Sequence, residues 1–504
     1  MERAARSCRA GSMMDRRLSR PMLRPVRVCS LLLILGAVLW GLGAAGDTRA
    51  LAEDAPLGGA PGDVAPSRPN IILILTDDMG HGDIGAFGAQ SIVTPALDML
   101  ARNGAVLTDF YASANVCTPS RAGLLTGRYP VRSGLAKGVI FPYSDYGLPA
   151  SEVTLAEVLR AAGYRTAMVG KWHLGHVPGA WPTDHGFDSY FGLPYSNDMQ
   201  PLALYRGTED RGTEELAGPV DQTVLTRQYT REAIEVIEAH GRAGDGERAR
   251  RDQPFFLYLA HTFPHLPLFA SDNFRDRSDA GRYGDTVEEI DWSTGAIVSA
   301  LKRLDLFDNT LIIFTSDNGP WFEGSAGSLR GRKGGTFEGG FRVPFIAHWP
   351  EGVPAGARSG AMAMNIDLMP TLAALVGAEI PDTVTLDGRD ILPLMRGAAQ
   401  SPHEVLYFFS NDTIAALRTD RWRLVVRSYY LTYDIPLDQF GYSMLFDLDS
   451  PHGESYSVAN RYPAVLERMN GLLAQGRSRL EGLPQTFTPP RLPSTDDGAD
   501  TGGE

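Results

Sequence analysis

Seven consecutive residues, Asn70-Ile71-Ile72-Leu73-Ile74-Leu75-Thr76, limit what this chain can become. An apolar run that short is no typical helix, and its isoleucines favour a strand. No polar residue interrupts its interior, so both faces must be covered, as in a sheet sandwiched between helices. Similar runs recur at 165–169, 254–260, 310–315 and 343–348. Between them, helical periodicity marks 97–102, 119–125, 153–162, 222–239 and 286–304, the third closed by Gly163. Strands alternating with helices predict an α/β sheet covered on both faces. After about 397 the pattern changes to short alternating strands at 404–409, 414–418, 422–427 and 443–448, then a helix at 463–475. This predicts a small antiparallel sheet with one helix packed on it. The expected organisation is a large α/β domain over 68–400 and a small α+β domain over 401–482. A chain of 504 residues fits that division, because single cores stop growing at ~250–300 residues.

The N-terminus reads as a targeting segment. Arginines are dense from Arg3 to Arg27, an apolar run covers 28–45, and small residues follow. Residues 1–50 are expected to be an export signal cut after Ala45 or Ala50, and Arg16-Arg17 points to the twin-arginine route. The rival is an uncleaved membrane anchor, since the run approaches the ~20 residues that span a bilayer. The Gly- and Ala-rich exit favours cleavage. Residues 51–67 read as a flexible linker, 240–252 as an exposed connector, and 483–504 as a disordered tail. A net charge of −13 excludes nucleic acid as a partner. Cys8 and Cys29 fall in the export segment, which leaves Cys117 alone and rules out an internal disulfide framework. Its thiol is either a small buried hydrophobe or the reason its segment exists.

Ligands in open α/β sheets gather beyond the carboxyl ends of the strands. There the chain carries Asp77-Asp78 after 70–76 and Ser316-Asp317-Asn318-Gly319 after 310–315. Such oxygen donors suit Ca²⁺ or Mg²⁺, although either pair alone is ordinary turn chemistry. Lys171 and His173 follow the run at 165–169, and in an extended segment they face one side. A cation beside an imidazole can hold a tetrahedral dianion and move a proton, yet a lone Lys-x-His is usually a solvated loop. The segment after 254–260 offers two histidines, His261 and His265. Lys333 sits in a glycine-rich stretch, 332–340, that otherwise reads as a basic surface loop. Cys117 opens a helix with Pro119 at an early position, where free N–H groups suit a sulfate or an oxyanion. Arg121 lies one turn along the same face.

The stretch Cys117-Thr118-Pro119-Ser120-Arg121-Ala122-Gly123-Leu124-Leu125-Thr126-Gly127-Arg128 matches Cys-x-Pro-Ser-Arg-x-x-x-Leu-Thr-Gly-Arg at every fixed position. It resembles the signature of the formylglycine-dependent sulfatases of the alkaline phosphatase superfamily, and of their arylsulfatases in particular. The resemblance runs from about 69 to 460 and includes 170–175, 192–198 and 314–320. It implies an alkaline-phosphatase-like sheet sandwiched by helices, with the small C-terminal sheet beside it. It also implies that a separate maturation enzyme oxidises Cys117 to formylglycine. Ca²⁺, in preference to Mg²⁺, would be held by Asp77, Asp78, Asp317, Asn318 and the modified Cys117. By the same resemblance the hydrated aldehyde attacks the sulfate ester of an aryl or carbohydrate substrate while Asp317 takes a proton. Arg121, Lys171, Lys333 and the cation offset the developing charge, and Ser196 is a substrate contact. The family pattern, a histidine one residue before a proline, selects His265 over His261 to protonate the leaving group. His173 takes the proton that lets the second hydroxyl expel sulfate, and Arg128 is structural. The chain lacks the extra cysteines of animal relatives, so their disulfides and cysteine-linked oligomer contacts do not carry over; a homo-oligomer remains open. Region 201–221 and the C-terminal sheet look less family-like and are expected to set substrate choice. Two rivals are a phosphonate monoester or phosphodiester hydrolase of the same superfamily and an inactive binder of sulfated glycans. The second expects a lost catalytic position, and every one is filled.

Overall fold

Both faces of the strand at 70–76 are covered, and the side chains alternate between two cores. Ile71, Leu73 and Leu75 enter one, and Ile72 and Ile74 the other. The computed structural model describes residues 68–241, 253–430 and 433–486. The expected export signal, linker, most of the 240–252 connector and the end of the tail lie outside the described residues. In chain order the strands are β1 (Asn70–Thr76), β2 (Ala105–Leu107), β3 (Phe110–Tyr111), β4 (Arg165–Gly170), β5 (Ser189–Gly192), β6 (Tyr205–Thr208), β7 (Gly212–Glu215), β8 (Phe255–Ala260), β9 (Thr310–Ser316), β10 (Phe345–His348), β11 (Ala357–Ser359) and β12 (Ala363–Met364).

Ten of them form the main sheet, in the order β11-β2-β10-β9-β1-β8-β4-β5-β6-β7. Its centre, β9-β1-β8-β4-β5, is parallel throughout, so four long strands release their chemistry at one edge. β10 runs antiparallel to β9, and β6 and β7 continue β5 as an antiparallel hairpin. On one face lie the helices Cys117–Thr126, Leu155–Ala161 and Leu368–Val376; on the other lie Pro95–Arg102, Leu225–Gly241 and Gly281–Arg303. Ile71 to Leu75 are fully buried, and each such side chain contributes about 1.5–3 kcal/mol of transfer free energy.

The small sheet continues the numbering with β13 (Leu406–Ser410), β14 (Thr413–Arg418) and β15 (Trp422–Val425). A short hairpin, β16 (Arg427–Tyr430) and β17 (Tyr433–Pro436), precedes β18 (Met444–Asp447). β13-β14-β15-β18 is antiparallel throughout, and Met469, Leu473 and Leu480 of helix Pro463–Leu480 share its core. Tyr111, Tyr129 and Phe341 from the larger part join the same core.

Two expectations shift. The helix expected to stop at 239 runs to Gly241, with His240 buried and its ring 5.0 Å from Phe255, so the connector begins later. Residues 483–486 are pinned rather than loose: Gln485 bonds Ala136 N and Val131 O, and Thr486 N donates to Gly134 O. Short strands at the sheet margins (β2, β5, β6, β7 and β11) carry too few residues to show a period. Among the described residues no helix is long and apolar enough to cross a membrane, and the 28–45 run lies outside them.

Candidate active site

Parallel register brings the strand ends together. Thr76 pairs with Ser316 and Leu75 with Ala260, so Asp77, Asp317 and the 261–265 segment leave the sheet side by side. At the end of β4, Gly170 has φ +112°, and a Cβ there would sit 1.8 Å from Ala260 O. Only glycine lets the chain turn so closely against β8, which delivers Lys171 beneath Asp77.

Cys117 begins its helix and is 2% exposed. Its Sγ lies 3.5 Å from Asp77 Oδ1 and 3.4 Å from Lys333 Nζ. Arg121, fully buried, donates from Nε to Asp317 Oδ2 at 2.9 Å and from NH1 to Lys171 O at 2.7 Å. Lys171 Nζ reaches Asp77 Oδ2 at 2.5 Å and Ser196 Oγ at 3.1 Å, and Ser196 Oγ lies 3.5 Å from His265 Nδ1. Lys333 Nζ pairs with Asp78 Oδ1 at 2.7 Å, and Asn318 Nδ2 donates to the same oxygen. Every residue singled out as a metal, catalytic or substrate position belongs to this cluster except His173, which touches its margin. His173 does not lie in an extended segment beside Lys171: its φ is +61°, and its Nε2 bonds Ile140 O while Nδ1 is buried without a partner.

His261 stays outside. It is fully buried with neither ring nitrogen hydrogen-bonded, and burial lowers its pKa to about 3. His265 Nε2 lies 3.8 Å from Asp78 Oδ2. Arg128 pairs with Glu152 at 3.5 Å, away from the cluster.

Electrostatics divide the carboxylates. Burial opposes the charge on Asp77, but Lys171, His265, Arg121 and Lys333 together hold its pKa well below normal. Asp317 goes the other way, to about 7, through burial and then the neighbouring Asp77. Burial pushes the Cys117 thiol to about 12. Donor atoms of Asp77, Cys117 and Asp317 lie within 4.8 Å of one another, as do those of Asp78, Cys117 and His265. Asn318 Oδ1 is buried with no hydrogen bond. Crowded carboxylates and an orphaned amide oxygen are the hard donor set that a divalent cation uses.

Sequence reasoning missed a second buried charge network that holds the Lys333 loop. Arg423 on β15 is fully buried, and its NH2 donates to Thr336 O and its NH1 to Glu338 Oε1, each at 2.9 Å. Its Nε lies 3.0 Å from Glu454 Oε1, and Glu454 Oε2 accepts Glu338 N at 2.7 Å. Tyr111 and Arg342 complete the shell of Glu338. In the sequence Arg423 alternates with Trp422 and Leu424 and so mimics a solvent-facing residue; only the buried acids opposite reveal its direction.

The family model described as Sulfatase matches residues 69–378. The chain belongs to the sulfatase family. A second model, N-sulphoglucosamine sulphohydrolase, C-terminal, matches residues 333–461 of this sulfatase. The C-terminal sheet is therefore family-like, contrary to its texture. Human arylsulfatase A is 39% identical, covering 80% of this chain and 87% of its own length. N-acetylgalactosamine-6-sulfatase of Canis lupus familiaris is also 39% identical, over 78% of this chain and 74% of its own. Among solved structures, the PsFucS1 sulfatase from Pseudoalteromonas sp. superposes with TM-score 0.73 at 27% identity, covering 83% and 92% of the two chains. The fold is the alkaline-phosphatase-like sandwich, and the activity of this sulfatase is the hydrolysis of sulfate esters.

Proposed function

We propose that this enzyme cleaves aryl or carbohydrate sulfate esters with a formylglycine made from Cys117, assisted by Ca²⁺. The observation that carries the reading is the convergence on Cys117: Asp77 Oδ1 lies 3.5 Å and Lys333 Nζ 3.4 Å from its Sγ, and donor atoms of Asp78 and Asp317 lie within 4.8 Å, while burial raises the thiol's pKa and leaves it a poor nucleophile at neutral pH. Converted, position 117 supplies two hydroxyls, one to attack sulfur and one to release sulfate, and a hard cation supplies positive charge for the sulfate oxygens. To Asp77, Asp78, Asp317 and Asn318 we assign the cation. Asp317, its other oxygen fixed by Arg121, takes the proton of the attacking hydroxyl. Arg121, Lys171 and Lys333 bind the equatorial oxygens and offset their charge. Ser196 holds Lys171 and His265 in one arrangement, and His265 protonates the departing alcohol. His173 receives the later proton at its free Nδ1. An exported location and a formylglycine-generating maturation enzyme belong to the same reading.

Mass spectrometry of the tryptic peptide Asn103–Arg121, from protein made in its native host, is expected to show an aldehyde in place of the thiol. Cys117→Ala should abolish turnover. An active enzyme carrying an intact thiol overturns the proposal. Chelation should remove activity, with Ca²⁺ restoring it better than Mg²⁺; restoration by Mg²⁺ alone refutes the calcium assignment.

A further inference from the structure

Between Ala260 and Gly281 the chain forms no helix or strand, so the segment that carries His265 must be held by other means. Its ring follows the local backbone, because Leu266 O accepts from Nδ1 at 2.5 Å. One residue on, Pro267 is exposed, yet its carbonyl accepts from Nδ2 of Asn197 at 3.2 Å. Asn197 is 1% exposed and directly follows Ser196. Its amide also donates to Gln222 Oε1 at 2.9 Å, and Gln222 Nε2 returns a bond to Asn197 O at 3.1 Å. Gln222 opens a turn, Gln222–Val224, that Asp221 caps by accepting Thr223 N at 3.0 Å. The turn runs straight into the helix Leu225–Gly241. That helix also holds the other side of the histidine segment, where Oη of buried Tyr229 lies 3.0 Å from Thr262 Oγ1. His265 thus sits between two anchors, Thr262 and Pro267, that lead to one helix.

We infer that Asn197 and Gln222 are positioning residues for the acid step, acting through Ser196 and His265. The inference rests on the assignment of His265 as proton donor to the departing alcohol. Ser196 follows β5 and His265 follows β8, but β4 lies between those strands, so no ladder bond sets their separation. The Asn197 amide supplies that link, since one side chain grips the Ser196 segment, the His265 loop and the helix. Proton transfer depends steeply on the distance and angle between donor and acceptor. Without Gln222, Asn197 keeps only its bond to Pro267 O, and its own buried carbonyl loses its partner. The two segments are then free to drift apart, and the 3.5 Å contact between Ser196 Oγ and His265 Nδ1 loosens with them.

The test uses the full-length enzyme with verified Cys117 conversion and three esters whose leaving groups fall in acidity: 4-nitrophenyl sulfate, phenyl sulfate and a monosulfated galactose. A nitrophenolate departs without a proton, whereas a sugar hydroxyl needs one. Gln222→Ala is expected to keep kcat/KM on the nitrophenyl ester within about twofold and to lower it about tenfold on the sugar ester. After His265→Ala the same substitution should change nothing further, because both act on one step. Gln222→Glu keeps the acceptor for Asn197 and loses the donor, so it should show a smaller loss of the same kind. It carries the test if Gln222→Ala does not fold. No loss, equal losses on all three esters, or losses that persist after His265→Ala overturn the positioning role and leave His265 as the acid. A His265→Ala enzyme that loses equally on every ester overturns the acid assignment and the positioning role with it. A converted parent inert to all three esters overturns the sulfatase reading itself.

Discussion

Two side chains four positions apart, His261 and His265, leave the same strand. His261 turns inward, where neither ring nitrogen finds a partner and burial keeps it neutral at any working pH. His265 is half-buried, lies beside Asp78 and shares Ser196 with Lys171. Proton transfer to a leaving alcohol needs the second environment. His265→Ala is expected to lower kcat about 10²–10⁴-fold, most severely on alkyl sulfates, whose leaving groups need the proton most. His261→Ala should cost about 1–3 kcal/mol of stability and leave kcat within a few-fold. Steady-state kinetics on 4-nitrophenyl and alkyl sulfates, with thermal melts, separate the two; the reverse pattern would move the acid to His261. At this scale the sequence was readable where a functional residue follows an apolar run, as Asp77, Lys171, His265 and Asp317 do, and where the Cys117 signature marks it. What it concealed is direction, as with His173, whose left-handed backbone no spacing rule reports.

Among elements, the glycine-rich loop is the least self-supporting part of the site. Its lysine faces Asp78 and Cys117, and behind it Thr336 and Glu338 hang from Arg423. Removing one partner of a buried ionic set leaves the others uncompensated, at a cost of about 3–5 kcal/mol. Arg423→Met should therefore lower the melting temperature by calorimetry and depress kcat/KM as Lys333 loses its support. Arg423→Lys, which keeps the charge but loses the fork of donors, should fall between. An Arg423→Met enzyme with parental stability and rate would show that the network holds nothing. The central parallel strands were legible because two-sided burial writes an unbroken apolar run. The marginal strands and the β15 arginine were not, since a short strand has no period and a buried ion pair looks like surface until its partner is known.

For the molecule as a whole, Asp291 gives a handle on acid stability away from the active site. It joins the helix Gly281–Arg303 to the start of Pro95–Arg102 by accepting Ala96 N at 3.1 Å and Leu97 N at 2.8 Å. Burial pushes its pKa to about 6, against the pull of those two amides, from an ordinary value of 3.8. A carboxyl whose pKa is raised on folding favours the folded state when protonated. Its contribution is complete below about pH 3.8, declines as pH rises and is gone above about 6. The shift corresponds to roughly 3 kcal/mol. The stability difference between the parent and Asp291→Asn, followed by denaturant titration, should fall by about 2 kcal/mol from pH 4 to 6. A flat or rising difference would refute it.

Cys117 is 2% exposed on the first turn of a helix, with its neighbours Thr118 to Arg121 also buried. A catalyst that acts on its thiol must reach it, and the finished fold leaves the side chain 2% exposed within a buried helical turn. Under the proposed chemistry, maturation therefore has a deadline: the signature must be converted while it is still an unstructured stretch of new chain. Copies that fold first keep an inaccessible thiol and cannot be rescued by later exposure to the maturation enzyme. The fraction of active molecules in a preparation then records a race between folding and modification, and it should rise when folding is slowed.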